Sequence, residues 1–149
     1  MTAWLLTWNP DNFVIDEDEY QERVTTSRRG QPVIDNWSTG QNRDRIQPGD
    51  TVYWLRQGSQ GRGIVGSGKA TSQIWSEAHF QDDKKMANYV GVEWWTVVPL
   101  KDRLDTADLV QDVPDVKWQY VLGSGQQVNE MAEEPLAQRW QQHLRGLGR

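Results

Sequence analysis

The sequence predicts an α+β domain in which a few short helices flank a small sheet that is curved or closed on itself. Two observations point to this class. Apolar runs of strand length recur along the chain and are separated by turns that contain Pro, Gly, Asn and Asp. Other segments have the composition and spacing of helices. We expect one domain over residues 1–149, since this length is enough for a core of its own.

The first elements are a strand, a helix and a short extended segment. Ala3–Trp8 is an apolar run that ends at the turn Asn9-Pro10-Asp11. Asp16–Arg29 predicts a helix, because its acidic residues come early, its arginines come late and a glycine follows. Val33–Trp37 predicts extended structure.

The middle of the chain predicts a β-hairpin. The turn Gln47–Asp50 leads into a strand over Thr51–Gln57. A second turn over Gly58–Gly63 is followed by a glycine-bearing strand over Gly63–Thr71.

The second half predicts one long strand and two helices. Tyr89–Val98 is the strongest strand signal, with Val90, Val92 and Trp94 on one face. Asp105–Gln111 and Glu130–Leu144 predict helices, and the second carries Met131, Leu136, Trp140 and Leu144 at helical spacing.

Charge is unevenly distributed along the chain. The formal net charge of −5 argues against a general polyanion binder. Residues 1–20 hold five acidic and no basic residues, whereas residues 21–75 hold eight basic and four acidic ones. Residues 76–149 are acidic again, with eight basic and twelve acidic residues. The sequence therefore allows a local basic face, although ordinary variation in charge gives the same pattern.

Composition excludes several classes of site. There is no cysteine, so disulfides, zinc–thiolate sites and thiol nucleophiles are impossible. The N-terminal apolar run lacks a basic leader and a cleavage site, and no segment reaches the ~20 apolar residues of a membrane span. We expect a cytoplasmic protein that makes no membrane contact and needs no metal or other cofactor.

Tryptophan is the compositional anomaly. The chain has nine, at positions 4, 8, 37, 54, 75, 94, 95, 118 and 140. Those within regular elements, such as Trp54, Trp94 and Trp140, are expected to fill the core. About two or three exceed what a core of this size requires, and they suggest an aromatic binding surface.

Apparent catalytic and nucleotide motifs lack their structural context. Gly61–Gly66 matches G-x-G-x-x-G and Gly63–Lys69 matches the start of a phosphate loop, but the segment has strand composition and Ala70 replaces the magnesium-binding hydroxyl. Such glycines more often mark a bulge or a close approach in a strand. His79 and His143 are far apart in sequence, and no serine lies in a G-x-S-x-G elbow. We therefore expect a binding module, not an enzyme.

Five short motifs follow one another along the chain: Trp8-Asn9-Pro10-Asp11, Trp37-Ser38-Thr39-Gly40, Pro48-Gly49-Asp50, Leu55-Arg56-Gln57-Gly58 and Arg62–Gly68. In their order and spacing they resemble the EVE domain, a member of the PUA-like superfamily related to the YTH readers of methylated adenine in RNA. The resemblance covers nearly the whole chain. It implies a pseudo-barrel of about six strands flanked by short helices. It also implies that a modified base is extruded into an aromatic pocket, as in the modified-cytosine sensors of modification-dependent restriction systems.

The same resemblance implies a set of pocket residues. Trp37 is assigned as one wall, with Trp8 or Trp118 as the second. Base-edge contacts are assigned to Asn9, Ser38 and Thr39, a contact to base or sugar is assigned to Gln57, and Ser124 is placed in the pocket. Phosphate contacts are assigned to Arg43, Arg45, Arg56 and Arg62. A purely structural role remains the alternative for each, as core filler, turn or cap.

The function expected from the sequence is binding of a modified base in DNA, 5-methylcytosine or another 5-substituted cytosine, alongside a fused or associated nuclease. Two alternatives stay open. One is a reader of N6-methyladenine or of modified RNA. The other is a small-molecule sensor or enzyme that uses the same pocket.

Overall fold

The fold is a curved mixed sheet with helices on both sides. The computed structural model describes residues 2–79, 82 and 84–149. The elements in chain order are β1 (Ala3–Trp8), α1 (Glu17–Arg28), β2 (Val33–Ser38), β3 (Thr51–Arg56), β4 (Gly63–Ala70), β5 (Trp75–Ala78), β6 (Met86–Val97), β7 (Leu104–Asp105), α2 (Thr106–Asp112), β8 (Gln126–Gln127) and α3 (Glu130–Gly146). Short 3₁₀ turns occupy Leu100–Asp102 and Trp118–Tyr120. The predicted α+β class is confirmed.

The order of strands in the sheet is β2-β6-β4-β3-β1-β8, with β5 added to β6 and β7 to β4. The predicted hairpin is confirmed, because β3 and β4 pair antiparallel. β1 and β3 instead run parallel, so that Trp8 and Arg56 end side by side. The carboxyl ends of these two strands therefore lie at one end of the molecule.

The sheet separates two hydrophobic cores. Along β1, Trp4, Leu6 and Trp8 belong to one core and Ala3 and Leu5 to the other, as expected for alternating side chains. We call the first the tryptophan core, which also holds Trp37, Trp54, Trp94 and, from α1, Tyr20 and Val24. The second, the helical core, is covered by α2 and α3 through Leu109, Leu136, Trp140 and Leu144.

Side-chain hydrogen bonds bring β2 against β1, although the two strands are not neighbours in the hydrogen-bonded order. The Trp37 indole donates to the Thr7 carbonyl at 2.8 Å. Ser124 donates to the Ser38 carbonyl at 2.6 Å and accepts from the Thr7 amide at 3.0 Å. These contacts join the two sides of the curved sheet into a pseudo-barrel.

The glycines of β4 mark close approaches of the backbone, as the sequence predicts. A Cβ at Gly68 would overlap the carbonyl of Glu93 on the neighbouring strand, and one at Gly66 would lie 2.7 Å from the carbonyl oxygen of Thr96. The phosphate-loop match is therefore a strand, with no helix following its glycines.

Candidate nucleic-acid interface

A cavity of about 800 Å³ lies where β1, β2 and β3 end. We call it the main cavity. Its walls come from these strand ends, from the start of β6 and from the loop that precedes β8. The lining residues are Thr7, Trp8, Asn9, Asn12, Phe13, Asn36, Trp37, Ser38, Gly40, Gln57, Gly58, Arg62, Glu77, Ala78, Tyr89, Val121, Leu122 and Ser124.

Trp37 lines the main cavity, but most of its surface is used by the core. Its side chain is 9% exposed. The ring meets Trp54 edge to face at 5.2 Å between centroids, and the indole N–H is bonded to Thr7. Trp37 therefore presents a fixed, narrow aromatic strip to the cavity.

Phe13 and Tyr89 add aromatic surface that sequence reasoning missed. Phe13 is 39% exposed, and its ring stands edge to face against Trp37 at 6.0 Å and 85°. Tyr89 is half-buried on β6, opposite Ser38 in the ladder. A sequence signal for Phe13 existed, since it is one of only two phenylalanines and follows the Trp8–Asp11 motif closely.

Trp8 contacts the main cavity but offers it little surface. It is 3% exposed, and its ring stacks on Trp54 at 5.4 Å and on Tyr20 at 5.8 Å. The Arg56 guanidinium lies 5.5 Å from its ring centroid. Its packed faces leave the cavity only a small part of the ring, so its role as the second wall of a base pocket stays a prediction.

Trp118 and Thr39 lie outside the main cavity. Trp118 is 1% exposed within the helical core, where its indole donates to the Val113 carbonyl. Thr39 is fully buried, and its hydroxyl donates to the Asn42 carbonyl at 2.6 Å. Each side chain takes part in internal packing and does not line the main cavity, so the structure does not bring these two residues together with the rest of the predicted pocket.

The polar side chains of the cavity are partly used by the protein itself. Asn9 accepts from the Asp11 amide through Oδ1, and its Nδ2 has no partner within the described chain. Gln57 donates to the Val121 carbonyl and accepts from Arg62 Nε, at 2.9 Å each. Gln57 thus positions its neighbours, whereas Asn9 retains a donor for a ligand.

Ser38 and Ser124 line the cavity and join the end of β2 to the loop that precedes β8. The Ser38 hydroxyl accepts from the Gly40 amide at 3.3 Å, and Ser124 is fully bonded to Ser38 and Thr7. Gly40 has φ +60°, and a Cβ there would lie 2.7 Å from the Ser124 carbonyl oxygen. These serines line the cavity, and their hydrogen bonds fix its shape.

Two of the predicted arginines lie near the cavity in different environments. Arg62 lines the cavity, is exposed, and is tethered to Gln57 through Nε. Arg56 is 6% exposed and donates through Nη1 to the carbonyls of Gln60 and Gly61, each at 3.1 Å. Burial lowers the pKa of the Arg56 guanidinium, and nearby Arg103 acts in the same direction. Burial and two internal carbonyl partners leave little of Arg56 for a phosphate, and its assignment to phosphate stays a prediction.

The other two predicted arginines do not line the cavity. Arg45 bonds to Gln127 on β8 and lies over the Trp4 ring at 5.4 Å. Trp4 is four residues before Trp8 on β1, so this site is roughly 13 Å from the cavity along the strand. Arg43 is exposed on the same loop as Arg45.

Other classes of site find no support in the described part of the chain. No cluster of three or more His, Asp or Glu side chains there is placed to hold a metal ion. None of the helices found there is long and apolar enough to cross a membrane.

Comparison with solved structures finds this same architecture in several proteins. A protein from Leishmania major described as hypothetical superposes with a TM-score of 0.60 at 14% identity, over 97% of both chains. Human THYN1, solved with DNA containing 5-methylcytosine, gives 0.57 at 12% identity, over 92% of this chain and 95% of THYN1. The YTH-domain protein Mmi1, solved with RNA, gives 0.56 at 16% identity, over 99% of this chain and 87% of that one.

The fold is similar to that of THYN1 and of the YTH domain. No protein-family model matches the sequence, and no curated protein sequence matches it. At these identities the similarity establishes the fold alone. The fold agrees with the pseudo-barrel that the sequence motifs implied.

Proposed function

We propose that the chain is a non-catalytic module of the EVE type that binds a modified base in DNA, 5-methylcytosine or another 5-substituted cytosine, extruded into the main cavity. The observation that carries the proposal is a wide cavity with Trp37, Phe13 and Tyr89 on its walls. Two proteins that share the fold were solved with 5-methylcytosine-containing DNA and with RNA. A fused or associated nuclease would be the natural partner of such a sensor.

The size of the main cavity suits an extruded nucleotide. Its volume of about 800 Å³ lies in the upper part of the roughly 300–1,000 Å³ range of ligand pockets. A base with a 5-substituent and part of its sugar fits this space. Discrimination then depends on the shape of the walls near the substituent, because a methyl group adds little apolar area.

The aromatic surface has to offset the cost of extrusion. Flipping a base costs a few kcal/mol, and stacking on one aromatic side chain returns about 1–3 kcal/mol. Trp37 exposes only a strip, so Phe13, which is 39% exposed, supplies more of the accessible surface. Because the two rings are nearly perpendicular, a base that stacks on one meets the other with its edge.

Polar groups on the cavity wall suit the edge of cytosine. Cytosine presents an amino donor at N4 beside acceptors at N3 and O2. The exposed carboxylate of Glu77 lines the cavity and can accept from N4. Asn9 Nδ2 is a donor without an internal partner in the described chain and can serve N3 or O2.

The test is competition binding at fixed salt with matched duplexes that carry cytosine, 5-methylcytosine, 5-hydroxymethylcytosine or N6-methyladenine. We expect wild type to prefer one 5-substituted cytosine, and Phe13→Ala to weaken binding of that duplex about tenfold, in line with the loss of one stacking partner. Phe13 is the residue to change because Trp37→Ala would also remove a core ring and its bond to Thr7.

Trp95→Ala is the matched control, since Trp95 is 46% exposed on β6 and does not line the cavity. Equal binding to all four duplexes would rule out the proposed function for DNA. Preference for N6-methyladenine, or for a single-stranded RNA probe, would support the alternative suggested by the YTH-like fold. Binding of a free nucleoside without salt dependence would indicate a small-molecule sensor.

A further inference from the structure

Leu122 is the most exposed large hydrophobic residue described, and it stands on the rim of the main cavity. Its side chain is 88% exposed although it is apolar and lies beside a concave site. Tyr120, two residues earlier, is 68% exposed. Single exposed leucines are common on protein surfaces, so exposure alone carries no conclusion.

The backbone around Leu122 is held firmly. Val121 is buried, and its carbonyl accepts from Gln57. Ser124 is bonded to Ser38 and Thr7, and the Gly125 amide donates to the Leu5 carbonyl at 2.8 Å. The loop is therefore tied to β1, β2 and the end of β3, while the Leu122 side chain extends outward.

We propose that Leu122 is a wedge that enters the base stack of a duplex and fills the space left by the extruded base. This inference rests on the proposed function and extends it, because it specifies double-stranded DNA as the substrate. Extrusion from a duplex leaves a gap between the neighbouring base pairs and an unpaired base on the other strand. Proteins that distort duplexes frequently insert an apolar side chain, leucine among them, between neighbouring base steps.

The geometry of the cavity fixes the position of Leu122 relative to the site of the extruded base. Leu122 and the aromatic walls line one cavity, so a base that occupies the walls leaves its gap beside the rim. Arg62 lines the same cavity and is tethered to Gln57, the residue that also holds the Val121 carbonyl. A phosphate contact from Arg62 and an inserted Leu122 are therefore fixed relative to one another.

Binding of a single-stranded probe distinguishes a wedge role for Leu122 from a role as part of the pocket wall. A base in a single strand has no partner to lose and leaves no closed gap, so a wedge contributes to duplex binding only. We expect Leu122→Ser to weaken binding of the preferred modified duplex about tenfold or more, which is the order of effect of burying one leucine side chain. Binding of the same modified strand without its complement should change by about twofold or less, the size of effect usual for a substitution at an exposed position.

Leu122→Met serves as the conservative variant and should retain duplex affinity. Met131→Ser is the control, because Met131 is 73% exposed on α3 and does not line the cavity. Equal loss on duplex and single strand, or no loss on either, would overturn the wedge and leave the proposed function standing. Failure of the wild-type protein to prefer any modified probe would overturn both.

Discussion

Arg56 and Arg62 show how two residues of one type in one short segment take opposite roles. Arg56 points inward, where backbone carbonyls and the Trp8 ring surround its charge. Arg62 lines the cavity, is exposed, and is bonded to Gln57 through Nε. Both were assigned to phosphate from the sequence. The sequence could not distinguish them, because the direction of a side chain at the end of a strand depends on bulges and loops that a sequence pattern does not encode.

Salt dependence of DNA binding distinguishes the two arginines. For Arg62→Gln we expect the negative slope of log affinity against log salt to become shallower by about 0.9, the value for one duplex phosphate contact. For Arg56→Gln we expect an unchanged slope and a loss of about 1–3 kcal/mol in the free energy of unfolding, since a buried donor to two carbonyls is removed. Slopes come from binding titrations at several salt concentrations and stability from urea unfolding. A shallower slope for Arg56→Gln would instead indicate that Arg56 contacts a phosphate.

Tyr53 is expected to lower the stability of the folded protein at alkaline pH. Burial, helped by the charge of Glu133, raises the pKa of Tyr53 to about 12, above the ordinary value near 10. Above the ordinary pKa the unfolded chain binds fewer protons than the folded one, so stability falls as pH rises from about 10 to 12. Burial also raises the pKa of Tyr20, which acts in the same direction.

We expect Tyr53→Phe to make the loss of stability between pH 10 and about 12 less steep, because the titrating hydroxyl is gone. The measurement is urea unfolding of both proteins at several pH values, with the neutral-pH stability as reference. An identical pH profile for the two proteins would show that Tyr53 titrates alike in the folded and unfolded states.

At the scale of elements, the loops after β2 and before β8 determine the shape of the main cavity together. Gly125 has φ +85°, and a Cβ there would overlap the Thr39 carbonyl. Asn42 donates to the Gly125 carbonyl at 3.0 Å, and Ser124 bonds to Ser38. The sequence motifs marked both loops as important, but the contact between them joins segments more than 80 residues apart.

Gly125→Ala should destabilise the protein by about 1–3 kcal/mol, because alanine is strained at positive φ and its Cβ meets the neighbouring backbone. Gly123→Ala is the matched control, since a Cβ at Gly123 has open space around it. Unfolding midpoints in urea measure both changes. Equal stability of the two variants would mean that the loops are not in tight contact.

Agreement between sequence and structure was best for long elements. β1, β3, β4 and α3 lie within a few residues of their predicted bounds. Turn residues mark the ends of the three strands, and α3 carries apolar residues at helical spacing. β5 was missed, since Trp-Ser-Glu-Ala has little strand character and is stabilised by its pairing with β6. α1 was found from its charges and its glycine stop.

At the scale of the whole molecule, the sequence predicted the fold better than the site. Order and spacing of motifs were sufficient for a pseudo-barrel, since they reflect the strand ends that the fold brings together. They did not show that Trp8, which offers the cavity little surface, and Trp118, which fills the helical core, are less accessible than Phe13 and Tyr89 on the cavity wall. Burial depends on how far the sheet curves and on which loop covers each strand end, and neither is a local property.

The packing of the tryptophan core also gives the protein an optical property. The Trp54 ring stacks on Trp94 at 5.1 Å and on Trp8 at 5.4 Å, and Trp37 meets it edge to face. Indoles this close share their electronic excitation, which gives paired bands of opposite sign in circular dichroism and quenches part of the fluorescence. Because Trp37 and Trp8 also line the main cavity, a ligand there changes the outermost members of this coupled set. The chain thus carries its own label-free spectroscopic reporter of occupancy.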